Sequence, residues 1–181
     1  MESPDRSKEV LEFYITSYEE YNDSMWAAKL GITDFVESDN ELISELNVLL
    51  QKVETDMTIF FRELCKIEQP DINELKFAFY DNENIPVSEW NLWLEKWWIR
   101  VDSNPDRELM LQNNPKYVLR NWMAQLAIDA AEKEDYSICE SLFDFLKSPY
   151  DEHDERETEW YQKRPEWARN RVGCSMLSCS S

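Results

Sequence analysis

Glycine is almost absent from this chain, since Gly31 and Gly173 are the only two among 181 residues. Tight hairpin turns need backbone conformations with positive φ, which glycine adopts at the lowest cost. So few glycines allow few such turns, and an all-β fold is therefore disfavoured. Hydrophobic residues make up 43% of the sequence, which is enough for a packed core. We predict an all-α fold, an irregular array of helices followed by an extended C-terminal tail.

Helix signals recur along the first 150 residues. Capping residues followed by proline, and S-x-x-E capping boxes, are typical of helix starts. The predicted starts are Ser3-Pro4, Ser38, Thr55 or Asp56, Pro70-Asp71, Ser88, Asn104-Pro105, Asn114-Pro115 and Ser137. Gly31 is placed to end the first helix. The start at Asn114-Pro115 opens the stretch with the clearest helical pattern, PKYVLRNWMAQLAIDAAEK.

Two apolar faces stand out within the predicted helices. The first helix repeats apolar residues at steps of three and four, which places them on one face: Leu11, Tyr14, Tyr18, Tyr21 and Met25. In the helix that begins near Ser88, Trp90, Trp93 and Trp97 share a face, and we predict that they lie in the core. Trp98 points elsewhere and is a candidate contact for a partner.

The character of the sequence changes after Pro149. The run DEHDERETE has no apolar period and is typical of a solvated linker. The following WYQKRPEWARNR mixes tryptophan with basic residues, and we predict that it packs on another surface. We therefore divide the chain into a helical domain, residues 1–150, and an acidic linker with a cysteine-containing tail, residues 151–181.

The charge and the apolar pattern disfavour several classes of protein. The formal net charge is −19, whereas a nucleic-acid-binding protein needs a basic surface. The N-terminal MESPDRSKEV lacks the apolar region of a secretion signal, and no apolar run approaches the length of a transmembrane helix. We expect no nucleic acid and no membrane among the partners, and a reducing, cytoplasmic location.

No catalytic, cofactor-binding or metal-binding residue is assigned. A glycine-rich phosphate-binding loop is absent from the sequence. His153 is the only histidine, lies in the acidic run and is predicted to be an exposed linker residue. A histidine-based triad or zinc site is therefore disfavoured. The many paired carboxylates have no specificity for catalysis in a chain this acidic.

The four cysteines fall into two kinds. Cys65 and Cys139 lie on apolar helical faces and are predicted to be small buried residues. Cys174 and Cys179 lie in the tail with a C-x4-C spacing that matches no common zinc site. An exposed thiol there can be oxidised or form a disulfide. From the residues alone, a redox role and an unremarkable pair of tail thiols are equally open.

Several segments together resemble one known family. They are SYEEYNDSMWAAKLGI, DMTIFFREL, the run from NPKYVLRN to SPYDE, and WYQKRPEWARN followed by SCSS. In this order they resemble the C-terminal part of the selenoprotein O (SelO) family of protein adenylyltransferases, which have a pseudokinase fold. The resemblance implies that the helices are the C-terminal region of a protein-kinase-like fold. It extends over nearly the whole chain.

The resemblance also implies a function for the full-length protein. Family members bind ATP and a divalent ion, Mg or Mn, and transfer AMP to Ser, Thr or Tyr hydroxyls of other proteins. The family's nucleotide-binding and catalytic motifs lie upstream of this chain. We therefore expect an inactive C-terminal segment whose partners are the upstream kinase-like core and, through it, the protein substrates. A eukaryotic parent would also allow a mitochondrial location.

For the tail, the resemblance implies a redox role. Cys179 occupies the third position from the end, where some members carry selenocysteine and others a cysteine that bridges to the activation-loop region. Cys174 has no assured counterpart, and either pairs with Cys179 or is a bystander. Two other hypotheses are a stand-alone helical protein-interaction module and a small redox protein that uses Cys174 and Cys179.

Overall fold

The structure is a computed structural model that describes residues 4–153 and 157–174. Within these ranges it contains α-helices and short 3-10 helices but no β-strand, and the all-α prediction is confirmed. The α-helices are α1 Pro4–Leu30, α2 Asp39–Lys52, α3 Met57–Leu64, α4 Val87–Arg100, α5 Arg107–Asn113, α6 Asn121–Ala131, α7 Ser137–Phe145 and α8 Glu157–Trp160. The 3-10 helices are Ile72–Ala78 and Glu166–Ala168. None of the described helices combines the length and the apolar character that crossing a membrane requires.

Aspartate side chains cap three of the helices. Asp56 accepts a hydrogen bond from the backbone N–H of Ile59 at 3.1 Å and begins α3. Asp71 in the same way accepts from Asn73 at 2.9 Å and begins the 3-10 helix Ile72–Ala78. Both starts were predicted from the sequence. The α5 helix is capped instead by Asp106, so the predicted start at Asn104-Pro105 is early by two residues.

The two predicted capping boxes do not form. The Ser38 side chain makes no capping hydrogen bond, although α2 begins at the next residue. The Asp39 carboxylate accepts from the N–H of Val36 instead, at 2.8 Å. Ser137 is the first residue of α7, and its N–H donates to the Asp135 carboxylate at 3.0 Å. At α7 a neighbouring aspartate therefore caps a free N–H of the first turn, whereas at α2 the Asp39 carboxylate binds the backbone that precedes the helix.

The largest error of the sequence prediction lies between α5 and α6. Asn114-Pro115 does not open a helix, because α5 ends at Asn113 and residues 115–120 are not helical. The side chains of Lys116 and Tyr117 are each 1% exposed, and the backbone N–H groups of both donate to the Pro149 carbonyl, at 2.9 and 3.1 Å. These long-range contacts hold the segment extended and outweigh its helical pattern.

The core is organised around α4. Trp90, Trp93 and Trp97 are at most 1% exposed, which confirms their predicted place in the core. The indole N–H of Trp93 donates to the Leu42 carbonyl of α2 at 2.8 Å. That of Trp97 donates to the Leu30 carbonyl at the end of α1, at 2.9 Å. Trp93 and Trp97 therefore join α4 to α2 and α1 and satisfy their own indole N–H groups, whereas the buried indole N–H of Trp90 has no hydrogen-bond partner among the described residues.

Gly31 ends α1, as predicted, with a φ of +67°. A Cβ atom at this position would lie 2.8 Å from Sδ of Met110 and 2.9 Å from the backbone nitrogen of Asp106. The Asp106 N–H also donates to the Gly31 carbonyl at 3.2 Å. Glycine is thus required both by the backbone conformation and by the close approach of the α5 N-terminus.

The described part of the tail packs against the helices. The Tyr161 hydroxyl donates to the Glu63 carboxylate at 2.7 Å, and the Trp160 ring stacks on that of Trp122 with centroids 6.0 Å apart. The N–H of Arg164 donates to the Tyr80 hydroxyl at 2.8 Å. The basic and aromatic tail segment therefore packs on the helical part of the same chain. The division at residue 150 stays a prediction.

Candidate functional site

A buried arginine lies at the centre of the most polar part of the interior. Arg62 is on α3, and its side chain is 2% exposed. Its guanidinium donates to the backbone carbonyls of Leu111, Asn114 and Tyr150 at 3.2, 3.0 and 3.0 Å, and to the Glu152 carboxylate. One side chain on α3 thus binds two separate segments of backbone that follow it in the chain.

A second buried cation binds the same carboxylate. The ammonium of Lys116, whose side chain is 1% exposed, donates to a Glu152 carboxylate oxygen at 2.7 Å and to its backbone carbonyl at 2.9 Å. The Tyr117 hydroxyl donates to that carbonyl at 2.7 Å. We call Arg62, Lys116, Tyr117 and Glu152 the Glu152 cluster. The cluster joins the part of the chain that follows α7 to α3.

The two cations determine the ionisation of Glu152. Burial alone would raise the pKa of this carboxyl, but the hydrogen bonds from Lys116 and Arg62 and their positive charges outweigh that effect and hold its pKa at about 2, below the ordinary 4.5. The carboxylate therefore stays charged at neutral pH. Its side chain is 48% exposed, so water also solvates it.

This lowered pKa makes the stability of the chain depend on pH. The favourable interaction is fully present above about pH 4.5 and is lost as the pH falls toward about 2, because the folded state must then protonate Glu152. We predict that Glu152→Gln lowers the free energy of unfolding at about pH 6 and that this difference shrinks at about pH 3. Urea unfolding of both proteins at the two pH values measures it. A difference that stays constant with pH would contradict the prediction.

A second buried ion pair lies beside the cluster. Asp56, which caps α3, is 5% exposed and pairs with Arg120, one of whose nitrogens donates to a carboxylate oxygen at 2.9 Å. Arg120 immediately precedes α6. The Asp56–Arg120 pair and the Glu152 cluster therefore fix both ends of the extended segment 115–120 to α3.

The described residues contain no cluster of ligands for the divalent ion that the family implies. Among residues 4–153 and 157–174, no three His, Cys, Asp or Glu side chains converge where a metal ion could sit. The buried carboxylates of Asp39 and Asp56 pair with Arg100 and Arg120. We derive no reaction step within this segment.

Comparison with known proteins gives the family. The model of the family described as protein adenylyltransferase SelO matches residues 2–147. The chain belongs to the SelO family. It is 45% identical to the protein nucleotidyltransferase YdiU of Flavobacterium johnsoniae, over 94% of this chain and 34% of the relative. The YdiU proteins of Aromatoleum aromaticum and an Azoarcus species are 45% and 41% identical, over 96% and 94% of this chain. The chain spans about a third of the length of these relatives.

Two of the segments that resemble the SelO family, DMTIFFREL and the run from NPKYVLRN to SPYDE, meet in the ion pairs. DMTIFFREL contributes Asp56 and Arg62, NPKYVLRN contributes Lys116 and Arg120, and SPYDE contributes Glu152. Apart from Asp56, which was predicted as a helix cap, the sequence did not single out these charged residues, because a lone arginine or glutamate in a chain with 38 acids carries no signal of burial. Their position inside the segments that resemble the family was the signal from which they could have been predicted.

The SelO-family tail cysteines are in different situations. Cys174 was expected in an exposed tail, but it is 6% exposed, and its backbone N–H donates to the Arg171 carbonyl at 3.1 Å. The expected exposure of this thiol is therefore wrong. Cys179 lies outside the described residues. The distance between the two predicted redox residues, Cys174 and Cys179, therefore lies outside what the structure describes.

The helix cysteines differ from each other. Cys65 is 2% exposed, as predicted, and its thiol donates to the Phe61 carbonyl at 3.1 Å. Cys139 is exposed, and its predicted burial is wrong. It lies on α7 beside the buried positions Leu142 and Phe145 but at the rim of that face. Helical period alone does not show where a buried face ends.

We therefore predict a clear order of thiol reactivity in the folded chain. Cys139 should react with iodoacetamide at least about tenfold faster than Cys65, because the thiolate is the nucleophile and access is required. Burial raises the pKa of the Cys65 thiol and further reduces its reactivity. Mass spectrometry of labelled peptides measures the rates, with urea-unfolded protein as the control. Equal rates in the folded chain would contradict the structure.

His153 is not the exposed linker residue that the sequence predicted. It is half-buried, with its ring centroid 4.8 Å from that of Phe145 and 5.7 Å from that of Tyr117. Its Nε2 lies 2.9 Å from the Ser148 carbonyl. The neighbouring Glu152 is fixed to the body by its cluster, and this carries His153 inward despite its acidic sequence context.

Proposed function

We propose that this chain is the C-terminal helical part of a protein adenylyltransferase, which transfers AMP from ATP to Ser, Thr or Tyr hydroxyls of other proteins. Membership of the SelO family carries the proposal. The chain spans about a third of its relatives, so we assign ATP, Mg or Mn, and the catalytic groups to the remaining part. The segment alone is inactive, and the enzyme acts in the cytoplasm.

Within that enzyme, the segment supports the upstream kinase-like core. The Glu152 cluster and the Asp56–Arg120 pair join α3, the extended segment 115–120 and the start of the tail into one unit. Buried ion pairs with several hydrogen bonds favour a single arrangement of the segments that they join. This suits a supporting part better than a site of chemistry.

The test compares this chain alone with the enzyme in which the upstream part precedes it. Both are incubated with radiolabelled ATP, Mg or Mn and a mixture of cell proteins. We expect label on protein only with the complete enzyme, and no measurable ATP binding by the chain alone. Tight ATP binding by the isolated chain would contradict the assignment of the nucleotide site, and no AMP transfer by the complete enzyme would contradict the function.

We also propose that Cys179, and not Cys174, is the redox-active thiol of the tail. The burial of Cys174 supports this choice, because a buried thiol is reached slowly by oxidants. Peptide mapping of the complete enzyme with and without reductant measures it. We expect a disulfide that includes Cys179 and leaves Cys174 reduced, and a Cys174–Cys179 disulfide would contradict the choice.

A second candidate is a stand-alone helical protein-interaction module. The exposed apolar side of α1 favours it, as does Trp167 of the tail, which is 44% exposed. Trp98, the other suggested contact, is half-buried beside Trp97. Reading the DNA upstream of the Met1 codon separates the two candidates, because the adenylyltransferase requires an in-frame kinase-like region there.

A further inference from the structure

The first half of α1 lies apart from the core and exposes a row of large apolar side chains. Every residue from Arg6 to Tyr21 except Ser17 is exposed. The row consists of Val10, Leu11, Tyr14, Tyr18 and Tyr21, which are between 58% and 75% exposed. Their spacing of three and four places them on one side of the helix. We call these five residues the α1 ridge.

A helix in this situation needs a partner surface. Most helical stability in proteins comes from packing of the apolar face against another element. No described residue beyond α1 packs on the ridge, since its side chains remain largely exposed. Contiguous apolar surfaces of this kind mark sites where another protein surface binds.

A pocket continues the ridge at the base of α1. It has a volume of about 370 Å³ and is lined on the α1 side by Trp26 and Lys29. Met57 and Phe61 of α3 form another wall. The Lys29 ammonium lies 4.3 Å from the Phe61 ring centroid and donates to the Asn114 side chain at 2.9 Å. The helical period places Lys29 on the same side as Leu11 and Tyr18.

We propose that the α1 ridge and this pocket form one interface, which the upstream part of the same polypeptide covers with an apolar surface and fills with an apolar side chain. This inference rests on the proposed function. The pocket is large enough to hold an aliphatic or aromatic side chain, and its walls are mainly apolar. Lys29, at the wall, is placed to donate to a backbone carbonyl of the incoming segment.

A second copy of this chain fits the interface less well. Residues 6–23 carry five acids against two bases, Arg6 and Lys8, a net charge of −3. Pairing two such helices would bring like charges together, which opposes association. In contrast, about two thirds of each relative lies outside the matched region and is available as the covering surface.

The experiment places a photo-cross-linker at each of two positions on α1 in the complete enzyme. Tyr18→p-benzoylphenylalanine probes the ridge, and Glu19→p-benzoylphenylalanine, one residue away and turned about 100° around the helix from it, is the matched control. We expect Tyr18 to give cross-links to peptides upstream of Met1, with a yield at least about tenfold above that of Glu19. Cross-links between two copies, equal yields at the two positions, or none at Tyr18 would overturn the proposal.

Hydrogen exchange gives an independent measurement without substitution. Amides of residues 10–21 should exchange at least about tenfold more slowly in the complete enzyme than in the isolated chain. Equal rates would overturn the proposal. AMP transfer is measured on the same enzyme samples. If the enzyme transfers AMP but residues 10–21 show neither slower exchange nor cross-links, the proposed interface is wrong and the proposed function stands. If residues 10–21 are protected but no AMP is transferred, the interface stands and the function is wrong.

Discussion

Replacing Arg62 with leucine should lower the free energy of unfolding by about 3–5 kcal/mol. Leucine fills part of the space but donates no hydrogen bond. The substitution leaves the carbonyls of Leu111, Asn114 and Tyr150 without the donor that now satisfies them, and Glu152 keeps only Lys116. Buried polar groups that lose their partners incur the full cost of desolvation. Urea unfolding followed by tryptophan fluorescence measures the loss.

The matched control is the same substitution at an exposed arginine. Arg169 forms ion pairs with Glu54 and Glu166 at 3.2 and 3.1 Å, but its side chain is 39% exposed. Exposed pairs contribute little because water screens them. Arg169→Leu should therefore cost a small fraction of what Arg62→Leu costs. Equal effects of the two substitutions would show that the Glu152 cluster does not stabilise the fold.

A triple variant separates the ion pairs from the shape of the site. Replacing a complete buried ion cluster by apolar residues of similar size is often nearly neutral, whereas removing one partner is strongly destabilising. Arg62→Leu combined with Lys116→Met and Glu152→Leu should therefore recover part of the loss caused by Arg62→Leu alone. A triple variant less stable than the single one would show that the hydrogen bonds to backbone dominate.

The sequence predicted those features that depend on near neighbours. Asp56 and Asp71 cap helices through backbone groups two or three residues away, so local pattern is sufficient. The same is true of Gly31, whose backbone conformation ends α1. Trp93 and Trp97 were placed in the core correctly, because large indole rings that share one helical face contribute strongly to stability when they are buried.

The errors arose where distant contacts decide the structure. Segment 115–120 has a helical pattern but is held extended by Pro149 and Glu152, which are more than 30 residues away. His153 is half-buried for the same reason, because the long-range contacts of its neighbour Glu152 hold it close to Phe145. Single-sequence patterns contain no information on these pairings, since each partner alone looks like an ordinary surface residue. The family resemblance contained this information only indirectly, because it identified the segments whose charged residues contact each other in the fold.

The α1 ridge is an intermediate case. The sequence correctly indicated that Leu11, Tyr14, Tyr18 and Tyr21 share a face of one helix. It did not indicate what that face contacts, because periodicity defines a direction and not a partner. In the structure the face is exposed, so its partner must be sought outside the described residues. This is why the interface is testable only in the complete enzyme.

Replacing Trp97 with alanine should also lower the free energy of unfolding by about 3–5 kcal/mol. The side chain is completely buried, and its ring lies parallel to that of Trp93 with centroids 6.3 Å apart. Alanine would leave a large cavity in the core beside the last turn of α4 and would remove the hydrogen bond to the Leu30 carbonyl. Thermal and urea unfolding followed by far-UV circular dichroism measure the loss.

Ile99 provides the control for this substitution within the same helix. Its side chain is 77% exposed, so Ile99→Ala removes almost no buried surface and should change the free energy of unfolding by about 0.5 kcal/mol or less. Both substitutions also raise the helix propensity of α4 by a similar small amount, so propensity does not distinguish them. The difference between the two variants therefore reports burial at Trp97. A comparable effect at both positions would mean that α4 is not the centre of the core, and that the indole hydrogen bonds to α1 and α2 do not hold the helices together.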